Sequence, residues 1–159
     1  MAFYSTLRIA ASALTAQRLR ADVIANNVAN MNTTRTAEGG PYRRQQVIFQ
    51  AQQAPLSFGA MLLAQRLGSL PGRPAALAPG EAPGQGVAVV SVSSDGRPPK
   101  RVYEPDNPDA GPDGFVEYPD IDPITEMADM LSATRAYEAN VTTLNAAKAM
   151  ALKALEIGR

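Results

Sequence analysis

Residues 133–159 read ATRAYEANVTTLNAAKAMALKALEIGR, an alanine-rich run without proline whose single glycine is the penultimate residue. The composition is that of a helix, yet an isolated helix is marginal in water and draws most of its stability from burying one face against a partner. Reading backward from this run, Asp122-Pro123 supplies an N-cap and a first-turn proline. Glu126 and Asp129 then complement the positive end of the helix dipole. From there Met127, Met130, Tyr137, Val141, Leu144, Ala151 and Leu155 follow a three-four spacing, with Thr134 and Lys148 in the two remaining slots. Gly158 stands where a C-cap belongs. A continuous helix of this extent is about 50 Å long. Its alanines, Ala133, Ala136, Ala139, Ala146, Ala147, Ala149 and Ala154, let neighbours approach from several sides.

The partner lies at the other end of the chain. All 13 prolines fall between positions 41 and 123 inclusive, which confines long helices to the two ends. Near the start, Leu7, Leu14, Ala21 and Val28 form one heptad position and Phe3, Ala10, Gln17, Ile24 and Met31 the other, with Gln17 the one polar member. This is a coiled-coil-like seam over about four heptads. The cluster Asn26-Asn27-Val28-Ala29-Asn30, followed by Asn32-Thr33-Thr34, is rich in side chains that compete with helical backbone bonds, and it predicts fraying of the first helix.

The sequence therefore predicts an α+β fold with long N- and C-terminal helices paired as an antiparallel coiled-coil-like unit. The expected packing runs along Leu14, Ala21 and Val28 against Val141, Leu144 and Ala151. A helical hairpin buried in an ordinary monomer is the other arrangement with this pattern. Three divisions follow: an N-terminal assembly helix and Asn-rich corner at 1–34, a small β and loop region at 35–121, and a C-terminal assembly helix at 122–159. In the middle, 42–50 (YRRQQVIFQ), 86–94 (GVAVVSVSS), 100–104 and 114–118 (GFVEY) are strand-like in β-branched and aromatic content and in their turn-rich borders. They predict one small antiparallel sheet between the helices. A proline- and glycine-rich linker at about 55–86 is broken by LSFGAMLLAQRLGSL, whose Met61, Leu62, Leu63 and Leu67 suit a partner contact or a loop folded back on the sheet.

The composition limits the chemistry. With 15 basic and 15 acidic residues, net charge implies neither a nucleic-acid nor an acidic membrane partner. Cysteine and histidine are both absent, which removes disulfides, thiol nucleophiles and the most frequent general base and metal ligand. The acidic stretch EPDNPDAGPDGFVEYPDID (104–122) invites a calcium-loop reading over Asp109, Asp113, Gly114, Glu117 and Asp120. Gly111 at the third position, Asp120 at the twelfth and the intruding Pro112 and Pro119 oppose it. Paired carboxylates for glycan hydrolysis are a second reading. A solvated turn is the third, since Asp, Asn, Pro and Gly collect in turns for backbone reasons. The glycine pairs match no phosphate loop, and Arg43 and Arg44 on opposite faces of one strand make a weak nucleic-acid patch. No cofactor and no metal are expected, and the chain is expected not to be an enzyme. No segment approaches the roughly 20 apolar residues that span a bilayer. The N-terminus lacks the pattern of a cleaved signal, so the protein is expected to be soluble or exported with its N-terminus intact.

Particular residues carry a family resemblance. Ser12-Ala13-Leu14-Thr15-Ala16-Gln17 and Ile24-Ala25-Asn26-Asn27-Val28-Ala29-Asn30, then Gly40-Pro41-Tyr42-Arg43-Arg44 with Val47 and Phe49, resemble the bacterial flagellar basal-body rod proteins. Val102-Tyr103-Glu104-Pro105, Gly114-Phe115-Val116 and the tail RAYEANVTTLNAAKAM (135–150) are similar to the proximal members in particular. The likeness covers 1 to about 54 and 86 to the end, which leaves about 55–85 as an insertion. It implies a structural subunit of the proximal rod, which assembles helically and transmits torque from the membrane ring to the hook. Implied partners are copies of itself and other rod proteins, the membrane-ring base, the rod-ring adaptor and the flagellar type III export apparatus. The implied place is the periplasmic rod of the basal body, reached without a cleaved signal peptide. Helix packing and subunit assembly then fall to Leu7, Leu14, Ala21, Ile24, Asn26, Asn27, Val28 and Asn30 on the first helix. On the last they fall to Met127, Met130, Tyr137, Asn140, Val141, Leu144, Ala151 and Leu155. Alternatives are a distal-rod or hook-junction subunit and a cell-wall hydrolase. The basic residues of 1–50 against an all-acidic 104–129 favour head-to-tail docking, and the isolated subunit is expected to have poorly ordered ends.

Overall fold

A computed structural model describes residues 2–37, 39–52 and 85–157. The order of elements is helix α1 (Ala2–Ala29), strands β1 (Gln45–Ala51), β2 (Val87–Ser94), β3 (Lys100–Tyr103) and β4 (Phe115–Tyr118), and helix α2 (Pro123–Ile157). Met61, Leu62, Leu63 and Leu67, with the rest of the expected insertion up to position 84, and the expected C-cap Gly158 lie outside the described residues.

The start of α2 is set by Asp122, whose carboxylate accepts from the Ile124 N–H at 3.1 Å and the Thr125 hydroxyl at 2.6 Å. Pro123 follows, with its φ already suited to a helix. These two bonds hold the Asp122 carboxyl below its ordinary value, the Thr125 hydroxyl first and the Ile124 N–H second.

The two helices run antiparallel, because Arg20 pairs with Asp129 (2.9 Å) while the later Asn27 bonds the earlier Glu126 (3.1 Å). Counting outward from these contacts, Leu14 to Val28 face the first turns of α2. Val141 and Leu144 fall opposite the opening turns of α1, so the expected match of Leu14, Ala21 and Val28 with Val141, Leu144 and Ala151 is shifted. The last turns of α2 run past the start of α1.

Half of the expected α2 seam is also displaced by one residue. Met130, Leu144 and Ala151 are half-buried in it, but the most buried positions are Glu126, Ala133 and Ala147 rather than Met127, Thr134 and Lys148. The contact is close because it is lined by small residues, with Ala10, Ala16, Val23 and Ile24 buried on α1. The asparagine cluster does not fray α1, which continues to Ala29.

The strands form two hairpins rather than one sheet: β1 pairs antiparallel with β2, and β3 with β4. Pro98 and Pro99 lie between β2 and β3, where the missing N–H groups stop a continuous ladder. The β1–β2 register shifts between Ile48 and Phe49, leaving Val90 without a partner across the ladder.

The β1–β2 hairpin lies along α1 and is fastened at both ends. At one end the Ser12 hydroxyl donates to the Ile9 carbonyl (2.7 Å) and accepts from the Val87 N–H (3.1 Å). Gly86 is buried against it at φ 124°, and a Cβ there would collide with the Ser12 oxygen. At the other end stands Asn27. The helical rise from Ser12 to Asn27 is about 22 Å, and the strand from Gln45 to Ala51, the residue paired with Val87, spans about 20 Å. The two spacings match.

Asn27 is 1% exposed and uses its full hydrogen-bonding capacity. Its amide nitrogen donates to the Gln45 carbonyl (2.9 Å) and to Glu126 Oε2 (3.1 Å). Its amide oxygen accepts from the Gln45 N–H (2.9 Å) and the Tyr42 hydroxyl (3.0 Å). Glu126, also 1% exposed, is neutralised by Arg44 Nε at 2.5 Å, and Arg44 continues to Asp129 at 3.6 Å. Burial, with the nearby Glu126 charge, raises the Tyr42 phenol above its ordinary value and keeps it a donor. One side chain thus ties α1, the start of β1 and the first turn of α2 together.

Two predictions follow from these joints. Asn27→Ala strips partners from Gln45, Tyr42 and Glu126 at once, and should lower stability by about 3 kcal/mol or more. Urea unfolding of the purified chain measures it, and a loss below about 0.5 kcal/mol, the level of an ordinary surface substitution, contradicts the account. For Asp122, the folded-state pKa lies below the unfolded one. Its stabilisation is therefore complete above the ordinary value of 3.8 and is lost as pH falls through the lower folded value. The Tm difference between the wild type and Asp122→Ala should shrink on acidification below that point; a constant difference contradicts the assignment.

Candidate functional site

The surface left after the fold is closed is apolar in particular places. On the first turns of α2, Ile124, Met127 and Leu131 stand at i, i+3 and i+7 on the side away from α1, and are 77%, 63% and 53% exposed. On the last turns of α2, Met150, Leu152 and Leu155 are exposed. On the β1–β2 hairpin Ile48, Phe49, Val90 and Val92 are exposed. A monomer gains nothing from such groups in water, and contiguous ones mark contact surfaces.

The residues expected to carry packing and assembly fall into two sets. Ile24 and Asn27 are buried, and Leu7, Leu14, Ala21, Val28, Asn30, Met130, Asn140, Val141, Leu144 and Ala151 are half-buried. Asn26, Met127, Tyr137 and Leu155 are exposed. The sequence reading passed over Ser12, Arg20, Tyr42, Arg44, Gln45 and Gly86 as fastening residues. A signal for Asn27 did exist: it stands three residues after Ile24 and four after Val23, on the buried face. Arg44 had none, because its partners lie 82 and 85 positions away in sequence.

The charge separation expected to drive docking is partly spent inside the molecule. Arg20 and Arg44 pair with Asp129 and Glu126. Arg97 bridges Asp95 (2.7 Å) and Asp120 (3.0 Å), and its hydrogen bond holds the Asp95 carboxyl below the usual range. Arg43, Arg44, Arg97, Asp95, Glu117 and Asp120 line a cavity of about 310 Å³ between the 39–44 loop and the 95–99 turn. Its walls neutralise themselves.

The acidic stretch is mainly the turn that joins β3 to β4. Backbone bonds from Asn107 to Glu104, Ala110 to Asn107, Gly111 to Phe115, and Gly114 to Gly111 fold it tightly. Glu104 accepts from the Tyr118 hydroxyl (3.0 Å) and the Asn107 amide (3.0 Å), and Asp109 accepts from the Thr34 hydroxyl (2.7 Å). The Glu104 bond, with burial, raises the Tyr118 phenol. These carboxylates are occupied in shaping a turn. Among the described residues no three acids are grouped so as to hold a metal, and no helix is long and apolar enough to cross a membrane. On the outward face of this hairpin Tyr103 meets Phe115 edge to face (5.2 Å between centroids) with Arg101 over the Phe115 ring at 5.3 Å. Val116 is buried on the other face.

What the molecule offers is therefore a pair of long antiparallel helices with two fastened hairpins and exposed apolar groups, the equipment of a building block. Comparison with known proteins agrees. Residues 7–35 match the family model described as flagella basal body rod protein, and residues 113–157 match that of the flagellar basal body rod FlgEFG protein C-terminal. The flagellar basal-body rod protein FlgC of Bacillus subtilis is 45% identical, with all of both chains covered. FlgC of Borreliella burgdorferi is 43% identical over 99% of this chain and 98% of its own. FlgC of Salmonella typhimurium is 39% identical, again with both chains covered in full. The two segments matched by the family models contain α1 almost whole and α2 whole, and the chain belongs to the flagellar basal-body rod protein family of FlgC-like subunits.

Proposed function

We propose that the chain is a proximal-rod subunit that locks into the rod through the outer faces of its helix pair and carries torque between the membrane ring and the hook. The observation that carries this reading is the set of large apolar side chains exposed near both ends of α2, in a member of the rod family. Torque transmission asks that a subunit not shear. The Asn27 and Ser12 fastenings tie the hairpins to the helices by directional bonds, which supports that use.

In this reading the subunit works in the periplasm, leaves the cell through the flagellar type III export apparatus without cleavage, and meets the membrane-ring base and the rod-ring adaptor. The divisions at 1–34, 35–121 and 122–159 act as assembly helix, shaping region and assembly helix. Met127, Tyr137 and Leu155, exposed in the single chain, are placed in contacts with neighbouring subunits. The segment at about 55–85 is assigned a contact at the outer face through Met61, Leu62, Leu63 and Leu67. Complete relatives all named FlgC favour the proximal rod over a distal-rod or hook-junction position.

The test is genetic and structural. A strain lacking this chain should not swim and should build basal bodies whose rods stop short, and a tagged copy should co-purify with intact rods. Normal swimming with complete rods in the deletion strain contradicts the reading.

A further inference from the structure

The β3–β4 hairpin stands apart from the other elements. Among the described residues, no Cα of β3 or β4 lies within 8 Å of one in α1, α2, β1 or β2. What faces it instead is the connection between α1 and β1. Thr34, Gly40 and Pro41 of that connection share the lining of a cavity of about 440 Å³ with Phe115 and Val116. Val116 is the one buried side chain of the two strands.

One side-chain bond ties the hairpin to the body among the described residues. The Thr34 hydroxyl donates to Asp109 in the turn between β3 and β4, at 2.7 Å and exposed to solvent. The other polar side chains of the hairpin bond within it: Glu104 with Tyr118 and Asn107, and Arg101 with Glu117. So do the Glu104 N–H, on the Gly114 carbonyl, and the Gly111 N–H, on the Phe115 carbonyl. At the roots stand Pro98 and Pro99 before β3 and Pro119 after β4. They lack the N–H groups that would carry a ladder on into the body. Arg97 clamps the two roots to each other through Asp120.

We infer that residues 100–118 form an arm that opens as one unit while α1, α2 and the β1–β2 hairpin stay folded, with the Thr34–Asp109 bond as its latch. Opening uncovers one buried valine and breaks one exposed hydrogen bond. Parting the helix pair breaks the whole Asn27 network besides, so the arm opens first. A two-stranded ribbon is marginal alone in water, so the ladder loosens once the arm leaves its seat. The inference concerns the single chain and holds whether or not that chain is a rod subunit. It gives a molecule with a fixed helix pair one adjustable surface.

Hydrogen exchange on the wild type and on Thr34→Val, which keeps the shape and removes the donor, tests it. The Glu104 and Gly111 amides and the ladder amides of β3 and β4 should exchange as a group, about ten-fold or more faster than amides in the middle of α1. Thr34→Val should speed that group several-fold and leave α1 and α2 unchanged. A group protected as strongly as α1 overturns the inference, and so does a variant that speeds the helices equally or leaves the hairpin as it was. Because the chain has no cysteine, thiol labelling supplies a second readout. Val116→Cys should react several-fold faster than Ala133→Cys in the helix seam, each rate taken relative to the unfolded chain, and only the first should respond to Thr34→Val. Equal relative rates for the two thiols overturn the inference.

Discussion

The Asn27 side chain is the interaction on which the arrangement depends. Its amide pairs with both the N–H and the C=O of Gln45, as a neighbouring strand would, and reaches Glu126 and Tyr42 with its remaining capacity. An apolar residue in that place could bury surface, but it could not choose which residue of the incoming chain begins β1. Strand register has period two, so a slip of one position would turn Val47 and Phe49 to the opposite face. A fully satisfied buried amide defines the position, and the Arg44–Glu126 pair beside it supplies the countercharge that makes a buried carboxylate tolerable.

This explains why so few large side chains are buried. Among the described residues the buried apolar set is Ala10, Ala16, Val23, Ile24, Val116, Ala133 and Ala147, mostly small. Small residues bring helices close, but they bury little area and so contribute little hydrophobic free energy. Much of the specificity of the single chain comes from polar fastenings at the ends of the β1–β2 hairpin, while its larger apolar groups, Ile124, Met127, Leu131, Met150, Leu152 and Leu155, are left outside. That division suits a subunit whose stability is completed by neighbours.

Much of the fold was legible because proline distribution and helical spacing are local signals. Both long helices, the Asp122 N-cap and four strands near their observed positions follow from them. The two hairpins were merged into one sheet because strand propensity does not report which strands pair. Half of the α2 seam lies one residue from its expected line because a large apolar residue such as Met127 is the natural choice for an inward position, whereas this helix pair buries Glu126, Ala133 and Ala147. The network around Asn27 was the least legible part. The asparagines were read as helix breakers, their usual effect when solvated. Only the tertiary fold brings Gln45, Tyr42 and Glu126 to Asn27 and turns its hydrogen-bonding capacity to another use.

The most direct test of this account is hydrogen exchange at the Gln45 amide, whose partner is the Asn27 side chain rather than a helix or ladder carbonyl. If Asn27 fastens the molecule, that N–H should exchange as slowly as the amides in the middle of α1, opening only when the helix pair opens. Exchange at the rate of an exposed loop amide, while the centre of α1 stays protected, would contradict the claim that this joint holds the structure together.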